Sequence, residues 1–358
     1  MSILRNTLQK TALAVALASV SALASAQIVT SIKPLGFIAS SIADGITETE
    51  VLVPAGASPH DYSLKPSDIQ KLQSAELIVW VGEDVDAFLD KTLRPMSFKK
   101  VLSIADFAEI GEFLEGEEHD HKHDHDHKHD HDHKHDHDHK HDHDHKHEHD
   151  HKHDHEHKHD HDHKHEHDHK HDHDHKHVHE HGHDHDHSTN WHVWYSPEIS
   201  KIVASRLASR LNELYPEKKE KIAQNLAEFN RTLAAQSEKI KQQLAPVKDK
   251  GFYVFHDAYS YFNNAYGLNQ TGYFTINPLV APGAKTLAKI KEEIKEHKVN
   301  CLFAEPQFTP KVIKSLSKGT GVHVGRLDPM GDAVKLGVNS YVNFLQYTAD
   351  SYFSCLSK

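Results

Sequence analysis

Cysteine is scarce in this chain: of 358 residues only Cys301 and Cys355 carry a thiol. That excludes a small disulfide-stapled fold and a thiolate-rich metal cluster with closely spaced ligands. Positive charge is also in short supply, with 41 Lys and Arg against 53 Asp and Glu and no local basic cluster. A partner that binds through displaced counterions, whether nucleic acid or an anionic bilayer, is therefore not expected. Long apolar runs are missing as well. The one marked stretch, Thr11 to Leu23, is about 13 residues, short of the ~20 needed to cross a bilayer, so stable membrane insertion is not expected either.

That stretch has a different reading. Arg5 and Lys10 precede it, and Ala24-Ser25-Ala26 follows it with small residues at both positions that a signal peptidase inspects. Residues 1–26 are read as a cleavable export signal, with a mature chain starting at Gln27. In an oxidising compartment a lone cysteine pair is expected to bridge, and the wide spacing of Cys301 and Cys355 makes a thiolate metal pair the weaker alternative.

What is abundant is histidine. From His119 to His187 every odd position is histidine, which places 35 of the 40 histidines in one tract. Its even positions hold 22 Asp or Glu and 10 Lys, so the tract accounts for the whole formal charge of −12 and the rest of the chain is neutral. With almost nothing apolar to bury, 119–187 is expected to be disordered on its own. Mobile imidazoles interleaved with carboxylates offer many weak, overlapping sites for zinc, copper or nickel. A solvating spacer is the bland alternative, but a spacer needs no histidine. Matches to HExxH such as His147-Glu148-His149-Asp150-His151 lack the amphipathic helix that a zinc protease requires, and follow from the alternation itself.

Outside the tract, short β-branched runs alternate with helical patterns. Strands are expected at Ile28–Ile32, Val51–Pro54, Leu77–Val81 and Lys100–Ile104, and again at Phe252–His256, Gly272–Ile276, Asn300–Ala304 and Val322–Leu327. Helices such as Pro66–Ser74 and Ala284–His297 fall between them. The predicted fold class is α/β: two similar lobes, each a four-stranded, mainly parallel sheet with helices. Ser196-Pro197 opens a helical region as cap and first residue. From about Glu217 to Leu244 the residues Ile222, Leu226, Phe229, Leu233, Ile240 and Leu244 form one apolar stripe, a helix of roughly 40 Å that would join the lobes as a rigid spine. The expected organisation is 27–118 for the N-terminal lobe, 119–187 for the histidine-rich loop, 188–249 for the end of that lobe and the linking helix, and 250–358 for the C-terminal lobe.

Five histidines lie outside the tract. His60 follows a strand in Gly56-Ala57-Ser58-Pro59-His60, His192 sits in Trp191-His192-Val193-Trp194, and His256 ends a strand. The carboxyl ends of parallel strands face the crevice where ligands bind, so His60 and His256 are expected to meet across an interlobe cleft. Glu305 and Asp328 also fall at strand ends and are candidates to enter it. His297, assigned to a helix, and His323, at a strand start, are read as surface or structural residues.

The stretches GASPHDYSLKPSD (56–68), WHVWYSPEI (191–199), VFHDAYSYF (254–262), FAEPQF (303–308) and RLDPMG (326–331), with an acidic histidine-rich insertion before the second histidine, carry a specific resemblance. The chain resembles the ZnuA family, periplasmic zinc-binding proteins of bacterial ABC zinc importers within the cluster A-I metal-binding proteins. The resemblance implies two lobes on a long rigid helix, one Zn²⁺ held between them as transported ligand, and delivery to an inner-membrane permease driven by a cytoplasmic ATPase. The family's metal histidines fall on His60, His192 and His256, and three imidazoles favour zinc over manganese. Some zinc members carry an acidic ligand just before the first histidine, where this chain has Pro59. The fourth position then falls to water or to Asp328, and the family's disulfide falls on Cys301 and Cys355. The protein is expected to act as a monomeric, non-enzymatic carrier. Two other readings stay open: a zinc hydrolase, since three ligands plus water is also a catalytic pattern, and a periplasmic zinc buffer with no transporter.

Overall fold

A computed structural model describes residues 27–114, 189–308, 311–318 and 320–358. The expected export signal and the histidine tract lie outside the described residues.

The N-terminal lobe runs β1 (Gln27–Thr30), α1 (Lys33–Ile42), β2 (Glu48–Val51), α2 (Pro66–Ser74), β3 (Leu77–Trp80), the short helices α3 (Glu83–Asp86) and α4 (Asp90–Leu93), and β4 (Val101–Ser103). After the tract come α5 (Pro197–Leu214) and α6 (Lys219–Leu244). The C-terminal lobe follows as β5 (Phe252–His256), α7 (Ser260–Tyr266), β6 (Gln270–Thr275), α8 (Ala284–Lys295), β7 (Cys301–Ala304), α9 (Lys311–Ser317), β8 (His323–Arg326) and α10 (Ser340–Leu356). The strands pair in the order β2-β1-β3-β4 in one sheet and β6-β5-β7-β8 in the other, and every pairing is parallel. The sheets are thus wholly rather than mainly parallel, and each is built on the same plan.

Sequence explains the strands. β3 reads Leu-Ile-Val-Trp and β5 Phe-Tyr-Val-Phe-His, each buried throughout, as expected for strands covered on both faces. β2 falls three residues before its expected place. It is an edge strand of Glu-Thr-Glu-Val, and the apolar Leu52 and Val53 beyond it still donate to Thr30 and Ser31 as the ladder frays into the loop. His297 lies past the end of α8 in a left-handed conformation (φ 57°), not on the helix; its N–H donates to the Ile294 carbonyl and closes the helix end.

The long helix forms as its apolar stripe predicts, with 3₁₀ geometry at Pro216–Lys218 leading into the 26 residues of α6, about 39 Å at 1.5 Å per residue. Ile222, Phe229, Leu233, Ile240 and Leu244 are buried along one side. Among them sits buried Asn225, whose amide donates to the carbonyls of Ile42 and Asp44 and satisfies the C-terminal end of α1. One hydrophobic cluster joins β1, β3, α1, α5, α6, β5, β7 and α10, with Ile28, Val79, Phe37, Leu207, Phe252, Phe303 and Phe344 among its members. Both lobes rest on this shared core, and separate smaller clusters cover the outer face of each sheet. The Cys301–Cys355 disulfide ties β7 to α10 inside it.

Candidate metal centre

In both sheets the strand order reverses beside the second strand in the row, which opens a crevice at the carboxyl ends there. In the C-terminal lobe β5 ends in His256, and its neighbour β7 is followed at once by Glu305. The carboxylate accepts from His256 Nδ1 at 2.7 and 2.8 Å and from the Tyr259 hydroxyl at 3.0 Å. A carboxylate on Nδ1 holds the proton there and leaves Nε2 as a bare acceptor.

His192 is held in the same manner by a different partner. Asn190 donates its amide to the Asp257 carbonyl and the Ser260 hydroxyl, both at 3.0 Å, which orients its oxygen. That oxygen accepts from His192 Nδ1 at 2.7 Å and from the His192 backbone N–H at 3.1 Å. The proton again sits on Nδ1 and Nε2 is free. His60 comes from the N-terminal lobe in a 3₁₀ turn, Pro59–Asp61, capped by Ser58, whose hydroxyl accepts the His60 N–H at 3.3 Å. Proline at the first position suits that turn. Asp68, accepting from Lys65 N and the Tyr62 hydroxyl at 2.9 Å, ties the following loop to α2.

The three rings converge, with centroids 5.6 Å apart for His60 and His192, 5.7 Å for His60 and His256, and 5.0 Å for His192 and His256. One nitrogen from each lies within 4.8 Å of the others. Burial, then the neighbouring His256, pushes the pKa of His60 down to about 4, and burial followed by the other two imidazoles holds that of His192 well below its ordinary value. These two rings are therefore neutral at physiological pH and offer lone pairs. Ser58, Pro59, Phe308, Pro329 and Met330 wall the small pocket around them.

The His192 and His256 Nε2 atoms stand 3.2 Å apart. In the Nδ1–H tautomer that Glu305 and Asn190 favour, both Nε2 atoms present lone pairs toward the same point. Two nitrogens at the usual ~2.0–2.1 Å from a tetrahedral zinc would be about 3.3 Å apart, so the spacing suits a cation between them.

Asp328 does not join the cluster. Its carboxylate accepts from Gln307 Nε2 (2.9 Å), Met330 N (3.0 Å) and Asp332 N (2.8 Å) and so braces the turn after β8. The other acidic candidate, Glu305, does enter the site, behind His256. Asn190 was missed; its signal was the Asn-x-His spacing, since asparagine readily binds the backbone two residues on. His323 is exposed at the start of β8.

Two parallel-sheet lobes on a shared helical core, with two buried imidazoles and one half-buried one between them, define a metal-binding protein of the two-lobed solute-binding class. A family model described as zinc-uptake complex component A, periplasmic, matches residues 28–355. The chain belongs to this ZnuA family. It is 66% identical over 355 residues to the high-affinity zinc uptake system protein ZnuA of Haemophilus influenzae, covering 99% of this chain and 100% of that one. It is 42% identical over 334 residues to the ZnuA of Yersinia pestis, covering 93% and 92%. Among solved structures, the periplasmic zinc binding protein TroA from Treponema pallidum matches with a TM-score of 0.65 at 16% identity, covering 93% of this chain and 100% of that one. A ZnuA crystal structure matches at 0.62 and 20% identity, covering 92% and 99%. At these identities the structural likeness speaks for the fold alone.

Proposed function

We propose that this protein is a periplasmic carrier that captures Zn²⁺ with His60, His192 and His256 and delivers it to an inner-membrane ABC importer, a permease with its cytoplasmic ATPase. The carrying observation is the 3.2 Å approach of two Nε2 atoms on rings whose Nδ1 atoms are engaged by Glu305 and Asn190, with His60 closing the third side. Water completes a tetrahedral set, since Asp328 is engaged in its own turn. Residues 1–26 export the chain and are removed, 27–118 with 188–249 and then 250–358 make the two lobes, and the carrier works as a monomer.

The site is a holding site rather than a catalytic one. A zinc hydrolase needs a free general base near its open position. The carboxylate beside the cluster, Glu305, is committed to His256 and Tyr259.

Competitive titration against a strong zinc chelator tests the assignment. His60→Ala and His256→Ala should lose tight binding with the fold intact by circular dichroism, and wild-type affinity in either variant would refute it. Growth of a deletion strain under chelation separates an importer from a buffer: the wild-type gene restores growth in the first case, while a buffer matters chiefly under zinc excess.

A further inference from the structure

The loop that carries His60 has a polar tie to the opposite lobe. Gly56, left-handed at φ 78°, donates its N–H to the Asp332 carboxylate at 2.7 Å. Lys33, at the start of α1, donates to the Asp332 carbonyl at 2.7 Å. Both donors belong to the N-terminal lobe, whereas Asp332 ends the turn after β8.

That turn is itself held in place. Asp328 Oδ2 accepts the Asp332 N–H, and Oδ1 accepts Gln307 and Met330 N. Between them Gly331 (φ 62°) is wedged in the lobe seam, where a Cβ would stand 2.6 Å from Phe344 and 2.9 Å from Phe37. The turn has little room to shift, so it can act as a fixed post. The pocket walls are then two tied segments: Ser58, Pro59 and His60 on one side, Pro329 and Met330 on the other.

We propose that Asp332 is a positioning residue of the zinc site, a latch that holds the His60 loop against the C-terminal lobe and sets the rate at which zinc leaves. This rests on the assignment of His60 as a ligand. Withdrawal of His60 is one way for the ion to be released, and it requires the 54–60 loop to part from the 328–332 turn. The Gly56–Asp332 bond opposes that movement at its outer end while touching no metal ligand directly. Because the bond lies at the surface, its loss leaves the core unchanged.

The test is stopped-flow transfer of zinc from the full-length, zinc-loaded protein to a chromogenic chelator, reading the slow phase that belongs to the cleft. Asp332→Ala should speed this phase on the order of tenfold, the factor a charge-assisted hydrogen bond is worth, with association and the zinc-free melting temperature unchanged. Asp332→Asn keeps a neutral acceptor oxygen for Gly56 and should release zinc at a rate between those of Asp332→Ala and wild type. Wild-type release from Asp332→Ala would overturn the latch. So would a loss of zinc-free stability that Asp332→Asn fails to rescue, because that marks a merely structural role. His60→Ala is the control: if it keeps the slow phase, the ligand assignment fails rather than the latch.

Discussion

Replacing Glu305 by glutamine exchanges one oxygen for an amide in a residue that is 3% exposed and packed behind His256, itself 2% exposed. The two carboxylate oxygens lie 2.7 and 2.8 Å from His256 Nδ1, and the amide keeps one of them as acceptor. The hydrogen bond and the tautomer therefore survive while its charge assistance is lost. A charge-assisted bond contributes about 1.5–3 kcal/mol and a neutral one about 0.5–1.5. The difference between the midpoints, roughly 1.2 kcal/mol, is about eightfold in zinc affinity. Alanine removes the acceptor altogether, strands the Tyr259 hydroxyl and lets the imidazole rotate, so its loss should approach the ~100-fold upper end for groups that orient a metal ligand. Chelator competition measures both variants, with thermal melts of the zinc-free protein as the control for folding. If Glu305→Gln and Glu305→Ala both bind zinc like wild type, the carboxylate is a packing residue and the reasoning fails.

Three further outcomes are expected. Reducing the Cys301–Cys355 bridge, which closes 54 residues of chain, should cost about 4 kcal/mol on the loop-entropy model and leave zinc bound, as differential scanning calorimetry with zinc titration would show. Zinc-free stability should be highest above pH ~6.5 and fall as pH drops toward about 4: His60 is held down to about 4 when folded but returns to ~6.5 when unfolded, so the unfolded chain takes up more protons in that window. His60→Ala should flatten this profile in pH-dependent melts. Deleting residues 118–188 should leave one tight zinc site and remove most weak ones, which lose further as pH falls toward 5; calorimetric titration at two pH values decides it, and loss of the tightest site on deletion would place the main binding centre in the tract.

Much of this was legible in sequence because periodicity reports burial. β5 lies at Phe252–His256 and α2 at Pro66–Ser74, as the alternation of strands and helices predicts, and all of the α6 stripe but half-buried Leu226 is buried. β2 was displaced because an edge strand buries little, so its polar Glu48-Thr49-Glu50 carried no apolar signal while the loop beyond it did. At the site, strand-end position pointed to His60 and His256, the family resemblance added His192, and the three imidazoles do converge. Neither signal could reveal the hydrogen bonds behind them. The bonds of Glu305 to His256 and of Asn190 to Asp257 and Ser260 depend on how neighbouring strands and loops align in space. For the same reason Asp328 could be named as an acidic residue at a strand end, but not as the brace of its own turn.

The core shared by the lobes also bears on leakage. A protein whose lobes each had a private core could open one while the other stayed folded, and any ligand between them would escape at the cost of that partial opening. Here Ile28 and Val79 of one sheet and Phe252 and Phe303 of the other belong to the same cluster, with α6 and α10 running through it. The cheapest disruption that separates the two sheets is then close to unfolding of the whole core. Spontaneous escape of the bound ion is limited to movements at the rim, in loops such as 54–60, while the floor of the site is guarded by the full free energy of folding.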